Sequence, residues 1–379
     1  MNAAPPRLLI ATNQLWTIAG SEVVALEIAR HFLELGYQVD VFTSWAEPPM
    51  SALFAEAIGR PLIVDPEQVR PFTYDIVYVQ HQLLGLFEYG PHPDDREATR
   101  IVTGRLARRS FLESGGWLHD RVLADHVLAN SELTAEHLAS VGHGTPTTVF
   151  YNAAPAAYFA RFQPRPDRPT KILVVTNHRD PALTEAVELL RQSAEIERIG
   201  GVDRVTLVTP EMIAGADLVV SIGKTIPYAI AGRVPVYVYD RYGGPGYLDP
   251  ENVHAAARFN FSGRCCERQL PAQEIAAEII GSYAKGVVFA RDAPQSWIDR
   301  YYLPRYIPRL TEPALTSNEE KRQRMSESPF LGQERLLANY VRQSFVHRQH
   351  MAVNIWRLEQ RVHELEKIEV RPEPVVRLF

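Results

Sequence analysis

Short apolar runs alternate with helical stripes along most of the chain. Residues 7–12 form an apolar run of strand length, the pattern of a buried parallel strand. After a loop at 13–19, Gly20-Ser21-Glu22 opens an amphipathic helix. Its apolar positions Val24, Leu26, Ile28, Ala29, Phe32, Leu33 and Leu35 leave Glu27, Arg30 and Glu34 for solvent. Gly36 ends that helix, and 38–43 reads as the next strand. Strand, glycine-opened helix, strand is a Rossmann-like half-unit. Further strands are expected at 61–65, 75–79, 127–130 and 147–151, with a helix at 131–141.

The proline-rich stretch 153–170 has little periodicity and reads as an interdomain connection. Beyond it the pattern restarts. Strands are expected at 171–175, 205–208, 217–221 and 234–239, with helices at 181–193, opening at Gly223, and near 272–284. The fold class is therefore α/β, two tandem Rossmann-like domains, an N-terminal one at 1–160 and a C-terminal one at 169–290. A crossing segment and polar linker follow at 291–333. From 334 to 369 the chain is helical without proline or glycine. Leu337, Val341, Ser344, Arg348, Met351, Ile355, Leu358, Val362 and Leu365 recur in steps of four and three. That is a coiled-coil seam, polar in its middle, and it predicts a homo-oligomer joined through 334–369.

Composition narrows the function. With 46% hydrophobic and 22% charged residues the chain is ordinary globular protein, which excludes wholesale disorder. A net charge of −5 and a pI near 6.2 give no global attraction to nucleic acid. Cys265 and Cys266 are adjacent, ill-suited to a disulfide and too few for a metal, so a reducing cytoplasm is the expected location. Neither a secretory leader nor an apolar stretch of about 18 residues is visible, so no transmembrane segment is expected. Arg100, Arg105, Arg108 and Arg109 read as a solvated helix face, or as a peripheral contact to anionic lipid or to a pyrophosphate-linked acceptor.

Tandem Rossmann-like domains place a ligand cleft between the carboxyl ends of their strands. Gly223-Lys224-Thr225 follows a strand and opens a helix. The glycine lets backbone N–H groups approach a diphosphate, and Lys224 adds a full charge for the leaving group. The plain alternative is a glycine-capped helix with a surface lysine. Spacing excludes a Walker loop, because the upstream glycine is missing. Gly243, Gly244 and Gly246 allow close backbone geometry beside Asp240, which could accept sugar or ribose hydroxyls; a purely structural turn is the alternative. Asn177-His178 ends one strand and Gln80-His81 another, so both face the cleft, His81 as a candidate catalytic group. No Asp-x-Asp cluster or histidine group is placed to hold a metal.

The segment 18–43, beginning Ile18-Ala19-Gly20-Ser21-Glu22, resembles the opening of nucleotide-sugar glycosyltransferases of the GT-B fold, particularly the group 1 (family four) set. Residues 124–131, then Phe150-Tyr151-Asn152 and Phe159, are similar to that group's crossing between domains. Blocks at 175–178, 208–211, 221–225 and 237–248 resemble a bacterial subgroup with a divergent donor domain. The resemblance spans about 7–285. It implies that Gly20 and Ser21 face donor phosphates or acceptor. It also implies transfer from a nucleotide-diphosphate sugar, with no other cofactor, to a glycan, lipid-linked or protein acceptor in surface-polysaccharide or glycan assembly. Retention of anomeric configuration is implied too. The group's pair of glutamates seven residues apart is missing, with Tyr228 at the later position, and Arg105 with Glu113 nearby departs from its usual acceptor-side histidine. A sugar-nucleotide epimerase is a lesser enzyme alternative. A non-catalytic nucleotide- or glycan-binding subunit, oligomerised by its tail, is the alternative of a different class.

Overall fold

The computed structural model describes residues 4–107, 113, 115–178, 180–200 and 204–369. The first unit runs β1 (Arg7–Leu15), α1 (Gly20–Glu34), β2 (Gln38–Ala46), α2 (Met50–Ile58), β3 (Ile76–Gln80), β4 (Arg100–Arg105), α3 (Trp117–Leu123), β5 (His126–Ala129), α4 (Glu132–Ser140) and β6 (Thr147–Val149). Its six strands form a parallel sheet in the order β2-β1-β3-β4-β5-β6. Right-handed crossover helices need apolar residues on both sheet faces, and Leu8, Leu9, Ile10 and Ala11 of β1 are all fully buried.

The second unit runs β7 (Lys171–Val175), α5 (Pro181–Leu190), β8 (Glu195–Ile199), α6 (Pro210–Gly215), β9 (Leu218–Ser221), α7 (Thr225–Ala231), β10 (Val236–Asp240), β11 (Gly243–Tyr247), α8 (Val253–Arg258), α9 (Ala272–Gly281) and α10 (Tyr283–Asp292). Its sheet order is β11-β10-β9-β7-β8, parallel except for the β10–β11 hairpin. The chain then passes through α11 (Gln295–Ile298) and returns to the first unit. There Leu303 and Tyr306, with Ile307 and Leu310 of α12 (Ile307–Thr311), join the first core.

Several sequence expectations need correcting. The run 205–208 is not a strand; the edge strand is Glu195–Ile199, whose charged residues hide its pairing, while Val205 to Val208 line the interdomain cleft. The expected turn at 240–246 contains strand β11. Residues 311–333 are not a free linker. They include α13 (Asn318–Glu327), anchored by buried Lys321, whose Nζ bonds Thr99 O at 2.6 Å and Asp125 Oδ2 at 2.9 Å. Arg100 and Arg105 are neither a helix face nor a surface patch. They lie on β4 and are buried, Arg100 donating to Arg309 O and Pro313 O at the end of α12. Arg108 and Arg109 lie outside the described residues.

The tail forms α14 (Leu331–Glu369), 39 residues and roughly 58 Å at 1.5 Å per residue. Its start is packed on the first unit: Leu331, Ala338 and Phe345 are buried, and Glu334 bonds the His119 ring at 2.6 Å. The proposed seam lies on another stripe, with Leu337, Met351, Ile355, Leu358, Val362 and Leu365 all exposed. No described helix is long and apolar enough to cross a membrane.

His126 on β5 carries a pH dependence. Burial, then the charges of Arg100 and Arg309, hold its imidazole down at about 4 from the usual 6.5. The folded chain therefore binds fewer protons than the unfolded chain between those values. Stability is expected to fall as pH drops from 6.5 to about 4. A His126→Gln protein, which keeps a partner for Thr148, should show a flatter urea midpoint over that window.

Candidate functional site

Both sheets reverse their strand order at one point. In the first, β1 lies between β2 and β3; in the second, β7 lies between β8 and β9. Ligands of open α/β sheets bind outside the carboxyl ends at such points. At the first, β1 leads to Gly20-Ser21 and β3 ends beside His81; at the second, β7 leads to Asn177-His178 and β9 to Gly223-Lys224-Thr225. All of these residues line one cleft of about 790 Å³ between the two units. Two crossings, side by side, join the units: Ala154 N donates to Tyr301 O at 2.6 Å, and Leu303 N to Ala154 O at 2.9 Å. Facing switch points and a carboxyl-terminal return to the first domain decide the architecture. The fold is GT-B.

No known family's sequence profile matches the chain, and no characterised protein matches it by sequence. Among solved structures it is similar to a glycosyltransferase from Rickettsia africae, at 13% identity and TM-score 0.49, covering 86% of this chain and 100% of that one. It is also similar to a UDP-N-acetylglucosamine 2-epimerase, at 12% identity and TM-score 0.43, covering 78% and 94%. A third likeness is to S. aureus MnaA solved with UDP, at 14% identity and TM-score 0.42, covering 80% and 96%.

On the first wall of this GT-B cleft, α1 begins at the cleft edge. Ala19 before it offers no side-chain cap, so the first-turn N–H groups have no intrahelical partner. The turn is braced from below. Gln80 Nε2 donates to Ser21 O at 3.1 Å, and Gln80 Oε1 accepts from Thr12 at 2.8 Å. Ser21 Oγ and Gln14 Nε2 both donate to Glu22, at 2.6 and 2.7 Å.

His81 has φ 65°, the left-handed region that a non-glycine residue rarely takes and that clusters at functional sites. Its Nδ1 lies 3.0 Å from Glu113 Oε1. Glu113 is 3% exposed; its Oε1 also accepts from Leu106 N at 3.2 Å, and its Oε2 lies 3.7 Å from Arg105 Nη1. Behind it Arg105 donates to Asp120 Oδ2 at 3.1 and 2.5 Å, and His143 Nε2 meets the same oxygen at 3.1 Å. Burial alone would raise the Asp120 carboxyl, but the charge of Arg105 and the His143 bond more than offset it and hold it low. Arg105 is raised above its usual value: burial opposes its charge, and Asp120 and Glu113 outweigh that.

On the second wall Gly223 takes φ 59°, with only Asn260 Nδ2, 3.9 Å away, near where a Cβ would stand. Backbone geometry, not crowding, requires glycine there. Lys224 is not a surface lysine. Its Nζ donates to Asn152 O at 3.0 Å and Ala153 O at 2.7 Å, and lies 2.6 Å from Glu27 Oε2 of α1. Tyr228 donates to Glu27 Oε1, and its ring stacks on Tyr158 at 4.0 Å. Burial lowers Lys224 and raises Glu27, and the mutual attraction opposes both shifts. Asn177 Nδ2 reaches across to Ile18 O at 2.9 Å. His178 is exposed in the cleft; partial burial, then Arg241, lower its imidazole.

Asp240, Gly243, Gly244 and Gly246 do not line the cleft. Asp240 Oδ1 accepts from Tyr242 N at 2.6 Å, and a Cβ on Gly244 would run into the Val238 carbonyl across the hairpin. These glycines serve packing, which corrects the expectation of ligand contact. The sequence reading missed Glu27, assigned to solvent. Residues 23–29 are apolar on nearly every side of the helix except at Glu27, and such a helix is covered all round, so the signal was present. The role of Glu113 is not legible locally, because its partner His81 is 32 residues away. Among the described residues no group of three or more His, Cys, Asp or Glu could hold a metal.

Proposed function

We propose that the chain transfers a glycosyl group from a nucleoside-diphosphate sugar to a hydroxyl acceptor inside this cleft. The observation that supports the reading best is the meeting of two topological switch points across it. The nucleoside lies on the second domain, along Thr176, Asn177, His178 and the Gly223–Thr225 turn. The diphosphate lies against the uncapped start of α1 at Gly20 and Ser21, a 15-residue helix whose dipole and open N–H groups suit an anion. The α7 helix has only seven residues and contributes less. Lys224 lends its charge to the diphosphate only after releasing Glu27 or the carbonyl of Asn152 or Ala153. Leaving-group charge is then met by backbone donors and a lysine, without a metal. The acceptor is a glycan, lipid-linked or protein hydroxyl in glycan assembly, and the setting is the cytoplasm.

Calorimetry with UDP, GDP, ADP and dTDP, followed by donor-hydrolysis assays on the nucleotide that binds, tests this. Binding with turnover supports transfer. Binding without turnover selects the second reading, a non-catalytic nucleotide-binding subunit, which the full engagement of Lys224 favours.

The exposed stripe of α14 supports self-association. A fully buried side chain of this kind gains about 1.5–3 kcal/mol, and Met351, Ile355, Leu358, Val362 and Leu365 are left exposed by the described residues. A cut after Pro329 would remove the buried Leu331, Ala338 and Phe345 from their packing on the first unit, so the informative truncation removes 352–379. Light scattering should show an oligomer for the full chain and a smaller assembly for the truncated one, with nucleotide binding kept. A full-length monomer at micromolar concentration would contradict the seam.

A further inference from the structure

We infer that His81, positioned by Glu113, is the general base that takes the acceptor's proton, and that transfer inverts the anomeric carbon. This rests on the transfer reading above and departs from the retention that the sequence resemblance implies. The Nδ1 edge of His81 is occupied by the Glu113 carboxylate at 3.0 Å, and no described residue bonds Nε2, while the ring lines the cleft. A carboxylate on one ring nitrogen fixes the tautomer that leaves the other nitrogen as a proton acceptor, and it stabilises the imidazolium that forms. The left-handed backbone at His81 is a local strain that the surrounding structure maintains, and it sets the ring against the cleft rather than along β3.

Retention has two routes. In front-face displacement the departing phosphate oxygen itself takes the acceptor's proton, and a side-chain base such as His81 has no part. Double displacement through a covalent glycosyl intermediate needs a free carboxylate at the anomeric carbon. Among the described residues the carboxylates lining the cleft are Glu27 and Glu113. Glu27 is held by Lys224 and Tyr228, and Glu113 by His81, Leu106 N and Arg105. In the single displacement, the acceptor oxygen forms its bond to the anomeric carbon as its proton passes to His81 Nε2. The bond from that carbon to the phosphate oxygen breaks, and its electron pair leaves with the nucleoside diphosphate. Glu113 is a positioning residue: it touches the base and not the substrate.

Water can replace the acceptor, so the test needs no acceptor identified. UDP-α-glucose, UDP-α-N-acetylglucosamine, UDP-α-galactose and GDP-α-mannose are incubated with the full chain, and the first-formed anomer is read by proton NMR before mutarotation. The β-anomer is expected first; the α-anomer first would overturn the base assignment while leaving the transfer reading standing. Failure of all four donors to bind or react would remove the transfer reading and this proposal with it. His81→Gly tolerates the left-handed backbone and opens a hole the size of the ring. Its turnover should fall on the order of 10²–10⁴-fold and recover with added imidazole. His81→Asn should lose the same activity without recovery. Glu113→Gln should keep donor affinity and lose kcat, and Glu113→Asp should regain part of it. A His81→Gly protein that is active without imidazole, or a Glu113→Gln protein with unchanged kcat, would overturn the proposal.

Discussion

A Glu27→Ala chain is expected to lose about 3–5 kcal/mol of stability at pH 7, because breaking a buried ion pair strands its partner. The stranded group is Lys224, buried and pushed down from 10.5 by desolvation. Asn152 O and Ala153 O still accept from it, but neither carries a charge. The loss has a ceiling, since Lys224 can shed its proton. Holding a lysine of ordinary pKa 10.5 neutral at pH 7 costs about 5 kcal/mol. The deficit should therefore shrink as pH rises towards 10.5, where the unfolded chain gives up the same proton. Urea midpoints at pH 7 and pH 10 check this. A Glu27→Leu/Lys224→Met double variant, which removes both charges, should recover most of the loss. For the same reason Lys224→Ala alone is not a clean probe of phosphate binding: it leaves Glu27 buried without its counter-charge.

Arg105→Leu is expected to cost a similar 3–5 kcal/mol, from the opposite sign of charge. The side chain is 1% exposed and is the counter-charge for Asp120, itself 1% exposed, and for Glu113. In the native chain Asp120 is held below its usual 3.8, so its contribution is present above that value and lost as pH falls through its folded value. In Arg105→Leu the Asp120 carboxylate has only the His143 bond to set against its burial, and it is raised instead. Its penalty then fades as pH falls towards 4, and the variant and native stability curves should converge at acid pH. Arg105→Lys should recover only part, because a lysine cannot reproduce the two contacts from Nε and Nη2 to one carboxylate oxygen. A uniform deficit across pH 4 to 7 would contradict this account of the cluster.

The parts of the fold that the sequence discloses are those whose cause is local. The apolar runs of β1, β3, β7, β9 and β10 and the glycine-opened α1 follow from patterns a few residues long. Strand β4 escapes, because Arg100 and Arg105 at its ends look like surface charges. Their partners, Glu312 and Asp120, lie 212 and 15 residues away. The anchoring of α13 escapes for the same reason: Lys321 and Asp125 meet 196 residues apart. In the cleft, Gly20, Ser21, His81, Asn177, His178 and Gly223 are legible as strand and helix ends. Glu27 and Glu113 are not, since each gains its role from a residue on another element. The hairpin glycines 243, 244 and 246 mislead, because a close backbone approach looks the same whether the neighbour is a phosphate or the chain's own carbonyl.

The most direct test of the central claim is a crystal structure of the full chain with the nucleoside diphosphate that binds in calorimetry. The diphosphate should lie at Gly20 and Ser21 and the nucleoside against Thr176 to His178 and the Gly223–Thr225 turn, with open space beside His81 for an acceptor. A nucleotide bound outside the cleft, or none bound at millimolar concentration, would contradict it.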